Sequence, residues 1–415
     1  MLHTGSIYRQ PSFLPFLSSR VLAMFAAQIQ AVVVAWQVYD MTNDPMALAY
    51  VGLAQFIPML LLLIPAGDLL DRFARKKILA ASWLLEALCS ALLLVLSLIP
   101  IHNPLFYYAV LVLYGCGRAF TGPAVQSLLP QIVPREQLAA AIAANSMLMR
   151  SAAIAGPLVG GGLYALGGGA LTYLICMLGF LGAALCLPWI KVLPQHTKTI
   201  STLNSSAWER FTAGIHFIRS RPIILGTISL DLFAVLLGGV VALLPIYAKD
   251  ILHVGPWGLG ALRSAMTLGE VMVGVYLSLY PFNRQVGMTM FIAVIIFGLA
   301  NLVFSLSTSF ALSCIALMVA GAADMVSVYI RSSLVQFSTP DEMRGRVNAV
   351  NMLFISSSNE LGEFRAGLSA KWLGTEPAAV VGSLFTLGVA GLWMWAFKPL
   401  REVNKFEDAS PRKLD

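Results

Sequence analysis

Charge is what this sequence has least of. Asp, Glu, Lys and Arg make up 11% of its 415 residues, against about 25% in soluble domains, while 58% are hydrophobic. One water-soluble core cannot hide that much apolar material, which excludes an ordinary soluble protein. Catalytic signatures are missing as well. Neither HExxH nor GxSxG occurs, and His3, His102, His196, His216 and His253 all fall in tails or connections, so an enzyme is not expected. The cysteines, Cys89, Cys116, Cys176, Cys186 and Cys314, sit inside apolar runs without CxxC spacing. Neither a disulfide framework nor a metal site is expected.

What is present is a succession of apolar runs of roughly 20 residues or more, the length a helix needs to cross a bilayer core of about 30 Å. They predict spans at 14–40, 47–70, 76–99, 104–130, 138–166, 169–190, 222–248, 256–281, 286–306, 309–337, 343–371 and 376–398. The fold class expected is an all-α membrane protein. The first run is followed by the polar stretch Asp40 to Pro45 and then at once by another span, so it reads as a retained helix rather than a cleaved signal.

Every second connection is basic. Arg72, Arg75, Lys76 and Lys77, then Arg135, Arg284, Arg344 and Arg346 mark these loops, and the alternate loops carry almost no cation except Lys249 and Lys371. The positive-inside rule then places both termini in the cytoplasm, as the basic tail with Arg401, Lys405, Arg412 and Lys413 also suggests. The net charge of +7 is thereby assigned to membrane orientation, and nucleic acid is not an expected partner.

The connection 191–221 is the most polar. Within it Trp208, Phe211, Ile215 and Ile218 recur at spacings of three and four, the apolar stripe of a short helix along the cytoplasmic surface. Sliding the chain against itself by 206 residues brings Gly115, Pro134, Glu136, Asn145 and Gly156 onto Gly321, Pro340, Glu342, Asn351 and Gly362. That offset implies a duplication, with a tail at 1–13, six-helix bundles at 14–190 and 222–398, a linker between them and a tail at 399–415. Parallel halves of this kind place a solute pathway at their interface.

Two motifs carry mechanism. The loop Gly67-Asp68-Leu69-Leu70-Asp71-Arg72-Phe73-Ala74-Arg75-Lys76-Lys77 joins a glycine that admits a neighbouring helix to an aspartate able to pair with an arginine or a helix N-terminus. A plainer account is that its cations only set topology. In the fifth span, Gly156-Pro157-Leu158-Val159-Gly160-Gly161 combines a lost backbone donor with room for bending and close packing. On these residues the chain resembles the major facilitator superfamily, whose loop signature is matched at Gly67, Leu69, Asp71, Arg72, Arg75 and Lys76, with Ala74 in place of the usual glycine.

The span-five motif is typical of the superfamily's proton-driven antiporters. The text further resembles the enterobactin exporter and macrolide efflux branch, at Tyr39-Asp40-Met41-Thr42, Arg118-Ala119-Phe120 and Thr339-Pro340-Asp341-Glu342-Met343-Arg344-Gly345-Arg346. The resemblance implies twelve transmembrane helices in two pseudo-symmetric six-helix halves about a central cavity. It also implies alternating access, with Gly67, Asp71, Arg72, Arg75, Gly156 and Pro157 as the conformational gate. The second-half counterpart of the loop is reduced to Pro281-Phe282-Asn283-Arg284.

Ionisable side chains at bilayer depth are costly unless paired or hydrated, and so mark function. Asp231, Glu270 and Asp324 are the candidates for proton coupling; Glu86 ranks below them, because the third span of the superfamily packs away from the cavity centre. The internal repeat sets Arg118 on Asp324, opposite charges at equivalent places; the alternative is that Asp324 is satisfied by Arg331 on its own helix. Gln28, Gln30, Gln55, Arg118, Arg150, Tyr329 and Arg331 are the candidate substrate-binding residues. The arginines suit an anionic ligand.

The expected function is proton-coupled efflux of a small organic solute, a siderophore or a drug-like molecule. No cofactor is expected beyond the proton gradient, and the expected partners are substrate and membrane lipid, with the chain a monomer in the inner membrane of a bacterium. Import by the same fold and a non-transporting sensor or scaffold are the alternatives.

Overall fold

The computed structural model describes residues 10–99, 103–134, 137–192 and 207–409. Every regular element among them is helical: α1 Phe13–Thr42, α2 Pro45–Arg72, α3 Arg75–Leu98, α4 Pro104–Ile132 and α5 Leu138–Cys186, then the short α6 Ala207–Ser220, α7 Pro222–Gly238 and α8 Leu244–Ile246. The chain continues through α9 Gly255–Leu279, α10 Val286–Ser305, α11 Phe310–Phe337, α12 Asp341–Leu373, α13 Thr375–Ala396 and α14 Lys398–Arg401. Among the described residues, eight helical stretches are long and apolar enough to cross a membrane. Helix α12 is not one of them. It forms over the expected span but carries Asn351, Asn359, Glu360, Glu363 and Arg365 along its length, so it needs protein or water beside it rather than lipid.

Local chemistry sets the ends. Helix α4 begins with proline at its first position while the Asn103 side chain accepts the Leu105 N–H at 3.0 Å, and Asp44 does the same for Met46 ahead of α2 at 3.0 Å. Helix α5 is continuous in hydrogen bonding but is broken at Gly167 and at Gly168, whose φ of +64° lies where side chains are strained. This break falls where the hydrophobic pattern places the joint between two spans.

Contacts divide the chain into two compact units. The first comprises the described residues of Met1–Asn43, Tyr50–Thr202 and Val254–Ser264, and the second those of Asp44–Ala49, Leu203–His253 and Ala265–Asp415.

Three features of the second unit differ from the sequence reading. The span expected at 222–248 is interrupted: α7 stops at Gly238, Gly239 is extended (ψ 127°), and the chain resumes through a 3-10 turn, α8 and a π-helical turn Tyr247–Ile251. A Cβ at Gly238 would overlap the Thr386 hydroxyl, so α13 approaches too closely for any other residue. The freed carbonyls of Leu236 and Gly239 accept from the Arg365 guanidinium at 3.1 and 3.4 Å.

The second difference concerns α6. Its apolar stripe is used against protein: Ile218 is buried with Ile224, Ile228, Val335, Val347 and Val350, and Phe211 and Ile215 pack on the same cluster. The Trp208 side chain lies outside the described residues.

Finally, the tail expected to begin at 399 folds back onto the unit. The Val286 and Gly287 N–H groups, at the start of α10, donate to the Asn404 and Val403 carbonyls at 3.2 and 3.0 Å. These are donors with no partner inside their own helix. Phe406 enters a cluster with Phe282, Tyr329 and Phe337. Asn283 accepts the Phe406 N–H at 2.8 Å and donates to both Glu407 carboxylate oxygens at 3.0 Å, a bond that holds the exposed Glu407 carboxyl below its usual range. Replacing Phe406, which is 5% exposed, by alanine is expected to cost about 3 kcal/mol, read as a lowered midpoint of thermal unfolding of the purified protein in detergent.

Candidate functional site

Helices α7 and α11 bring charge together inside the second unit. Asp231 and Arg331 form an ion pair with side chains 8% and 6% exposed. Two turns before Arg331 on α11, Asp324 lines a small cavity with Asp231, Ser327, Val294 and Phe297. The arginine is thus committed to Asp231 and not to Asp324, the intrahelical alternative suggested by sequence. Asp324 has no hydrogen bond or ion pair among the described residues, and the buried Ser327 hydroxyl beside it also lacks a partner. The cavity is therefore lined by the carboxylate of one neutralised pair, one further carboxyl group and one unsatisfied hydroxyl, in otherwise apolar walls. Glu270, on α9, is half-buried and has interactions of its own.

The first unit contains a carboxylate that the sequence reading ranked low. Glu86 of α3 is 3% exposed and accepts a hydrogen bond from Thr121 at 2.8 Å. Gly117 lies against it, since a Cβ there would come within 3.2 Å of the Glu86 side chain. The signal was available: Gly117 and Thr121 are one turn apart on α4, the spacing that makes a slot with a donor at its edge. Near it Ser90 donates to Gln30 at 2.6 Å, and Gln30 is buried with its amide nitrogen unpartnered. Arg118 donates to Gln55 at 3.2 Å, so its nearest bond is to an amide of its own unit. Gln28 packs on Gly156, and a Cβ on that glycine would lie 2.6 Å from the Gln28 Cβ. Arg150 is exposed and lines a cavity between α1, α4 and α5.

Two of the candidate substrate-binding residues are engaged within the second unit. Tyr329, read as substrate-binding, is packed among Phe282 and Phe406 at ring distances of 5.7 and 5.9 Å; its place on α11 faces the folded-back tail. Arg331, also read as substrate-binding, is spent on Asp231, because burial makes an unpaired guanidinium costly.

The gate residues are distributed as follows. Among the described residues, a Cβ on Gly67 would meet nothing within 4 Å. The Asp71 side chain lies outside the described residues. Arg72 is exposed at the end of α2. Arg75 donates to the Ser127 carbonyl of α4 at 3.0 Å, and Lys76 donates to the Pro188 and Ile190 carbonyls at 3.0 and 2.9 Å. These cations thus tie the start of α3 to the backbone of α4 and to the chain that follows α5.

The span-five motif is a packing surface on two sides. Gly156 and Gly160 meet Gln28 and Ile29 of α1, while a Cβ on Gly161 would run into the Pro256 carbonyl at the start of α9. The Pro157 carbonyl in turn leaves no room for a side chain at Gly260, and Ser264 donates to the Ile154 carbonyl at 2.6 Å.

Comparison with known proteins adds the following. A family model described as transmembrane secretion effector matches residues 6–414. The enterobactin exporter EntS of Citrobacter koseri is 24% identical over 99% of this chain and 97% of its own length, and that of Salmonella choleraesuis is similar to the same extent. Among solved structures, a bacterial homolog of the human lysosomal transporter Spinster, inward-facing and unoccupied, matches with a TM-score of 0.75 at 14% identity, covering 96% of this chain and 99% of that one. A bacterial homologue of the iron transporter ferroportin, inward-facing, matches with a TM-score of 0.68 at 18% identity over 96% and 100% of the two chains.

The buried pair generates a double-mutant prediction. Arg331→Gln is expected to destabilise by about 3–5 kcal/mol by leaving Asp231 buried alone, and Asp231→Asn combined with it to recover much of that loss. Thermal unfolding of the single and double variants in detergent checks this.

Proposed function

We propose, from the premise that this chain belongs to the transmembrane secretion effector family of major facilitator transporters, that it exports a small organic solute by proton-coupled alternating access. The reading takes twelve spans: α1 to α4, the two parts of α5, α7 with α8, and α9 to α13. They form two halves, 14–190 and 222–398, in a bacterial inner membrane with both termini cytoplasmic and the chain a monomer. Export is favoured by relatives that are themselves exporters of enterobactin and that align over nearly the whole chain. A siderophore therefore stands ahead of a drug-like cargo.

The observation that carries the coupling reading is Asp324. A carboxyl group inside the membrane without an ion pair, next to a pair that could exchange partners with it, is suited to take up and release a proton as its surroundings change. Asp231 and Glu270 are the other candidates. The proton gradient supplies the energy, and no bound cofactor is needed for that step.

Flux of a panel of siderophores and antibiotics in reconstituted vesicles, with and without a pH gradient, tests the proposal. Gradient-driven accumulation is expected for the wild type. Asp324→Asn is expected to reduce accumulation against a gradient at least about tenfold while exchange down a gradient persists, the pattern of lost coupling. Unchanged gradient-driven accumulation in Asp324→Asn, Asp231→Asn and Glu270→Gln alike would falsify coupling through these carboxylates.

A further inference from the structure

The cavity that Arg150 lines has a volume of about 620 Å³ and lies where α4 ends and α5 begins. Arg20 enters it from α1, Gln126 from α4, and Asn145 and Arg150 from α5, between apolar walls that include Leu129 and Ile142. No carboxylate is among its described lining residues. Arg20 is half-buried and touches only neutral groups: its Nε donates to Asn145 at 3.5 Å, the limit of such a bond, and its Nη2 to the Met149 sulfur at 2.8 Å. The Glu86 carboxylate exerts a field on Arg20, but it is buried on α3 and already accepts from Thr121.

A guanidinium presents five donors in a fixed fork. Holding it beside a thioether and an amide oxygen, with no carboxylate in hydrogen-bond contact among the described residues, leaves most of that capacity unused in a segment where charge is costly. Two arginines and two amides lining a cavity with apolar walls make a site that matches an oxyanion attached to an apolar body. We infer that this cavity binds the anionic group of an amphiphilic organic anion, with Arg20 as its principal contact. The inference deepens the transport reading above by placing the recognition of an anionic cargo in the first unit, and it rests on that reading only for the claim that the anion is cargo. An anionic lipid headgroup offers the same chemistry.

The full-length protein in phosphatidylcholine nanodiscs is titrated calorimetrically with naphthalene-1-carboxylate and with its neutral carboxamide. The wild type is expected to prefer the carboxylate by roughly tenfold or more. Arg20→Gln abolishes the preference while leaving carboxamide binding unchanged, Arg20→Lys keeps part of it, and Arg150→Gln reduces it. Repeating the titration with phosphatidylglycerol in the disc separates the two sources. Competition that disappears in Arg20→Gln assigns the site to a headgroup, whereas absence of competition assigns it to a soluble anion.

Equal binding of the two probes by the wild type overturns the inference, as does a preference that survives both Arg20→Gln and Arg150→Gln. Arg20→Lys guards against a variant that merely misfolds, since a folded protein retaining charge must retain part of the effect. Binding and flux are read separately. A charge preference without flux upholds the site and sinks the transport reading, and flux without a charge preference does the reverse.

Discussion

Inside lipid no water completes a broken hydrogen bond, so each carbonyl or N–H freed by an interruption must be met by the protein itself. The second unit accepts an interruption of α7 because Arg365 of α12 reaches the carbonyls of Leu236 and Gly239. The start of α10 is completed by the carbonyls of Val403 and Asn404, from a tail that would otherwise have no reason to fold back. In the first unit Lys76 answers the carbonyls of Pro188 and Ile190, and Arg75 that of Ser127. Several of the cations in this charge-poor chain are thus employed on backbone, which gives a loop arginine or lysine a structural task beyond setting topology.

The same scarcity governs the remaining charges. Asp231 and Arg331 neutralise each other, and Glu86 and Arg118 are each held by a neutral side chain, Thr121 and Gln55. Among the described residues, a carboxyl group and a guanidinium of the same protein then have no carboxylate–cation contact of their own: Asp324 in the second unit, and Arg20 in the first, which feels the Glu86 carboxylate only at a distance. Their chemistry differs. A carboxyl group can become neutral by taking a proton, whereas an arginine cannot lose one in a protein. Asp324 can resolve its burial with a proton, and Arg20 can resolve its own only with an anion.

Helix ends and the joint inside α5 could be read from sequence because they depend on local signals: apolar runs, Pro104 and Pro222 at first turns, and the glycines at 167 and 168. The gap in α7 could not. Gly238, Gly239 and Pro245 hint at it, but the break exists because Thr386 and Arg365, more than a hundred residues later, meet it in space. The ring contacts of Tyr329 are hidden from the sequence for a similar reason. An aromatic residue on an apolar helix looks the same whether it lines a pathway or receives Phe406, and only the returning tail distinguishes the two. The contacts of Glu86 are not read from the general position of a third span, because they come from the local slot formed by Gly117 and Thr121. The tail itself carries basic residues that read as a solvated cytoplasmic end, which concealed the apolar Phe406 among them.

The span-five motif illustrates how position decides what a glycine does. Gly156 and Gly160 face α1, and Gly161 faces the backbone at Pro256; at Gly156 and Gly161 even a methyl group would overlap a neighbour, and at Gly160 it would press on Ile29. Gly162, next in sequence, has open space around its missing side chain. Backbone therefore lies directly against backbone or against the first atoms of a side chain, with no flexible groups to absorb a shift. Small residues at such contacts replace hydrophobic driving force, which is absent between helices in lipid, by close packing. Pro157 adds a second consequence. By withholding its N–H it leaves the Ala153 carbonyl without its usual donor, while Ser264 donates to the neighbouring Ile154 carbonyl. The Ser264 bond is thus a polar contact between α5 and α9, and the glycines supply the proximity that lets it form.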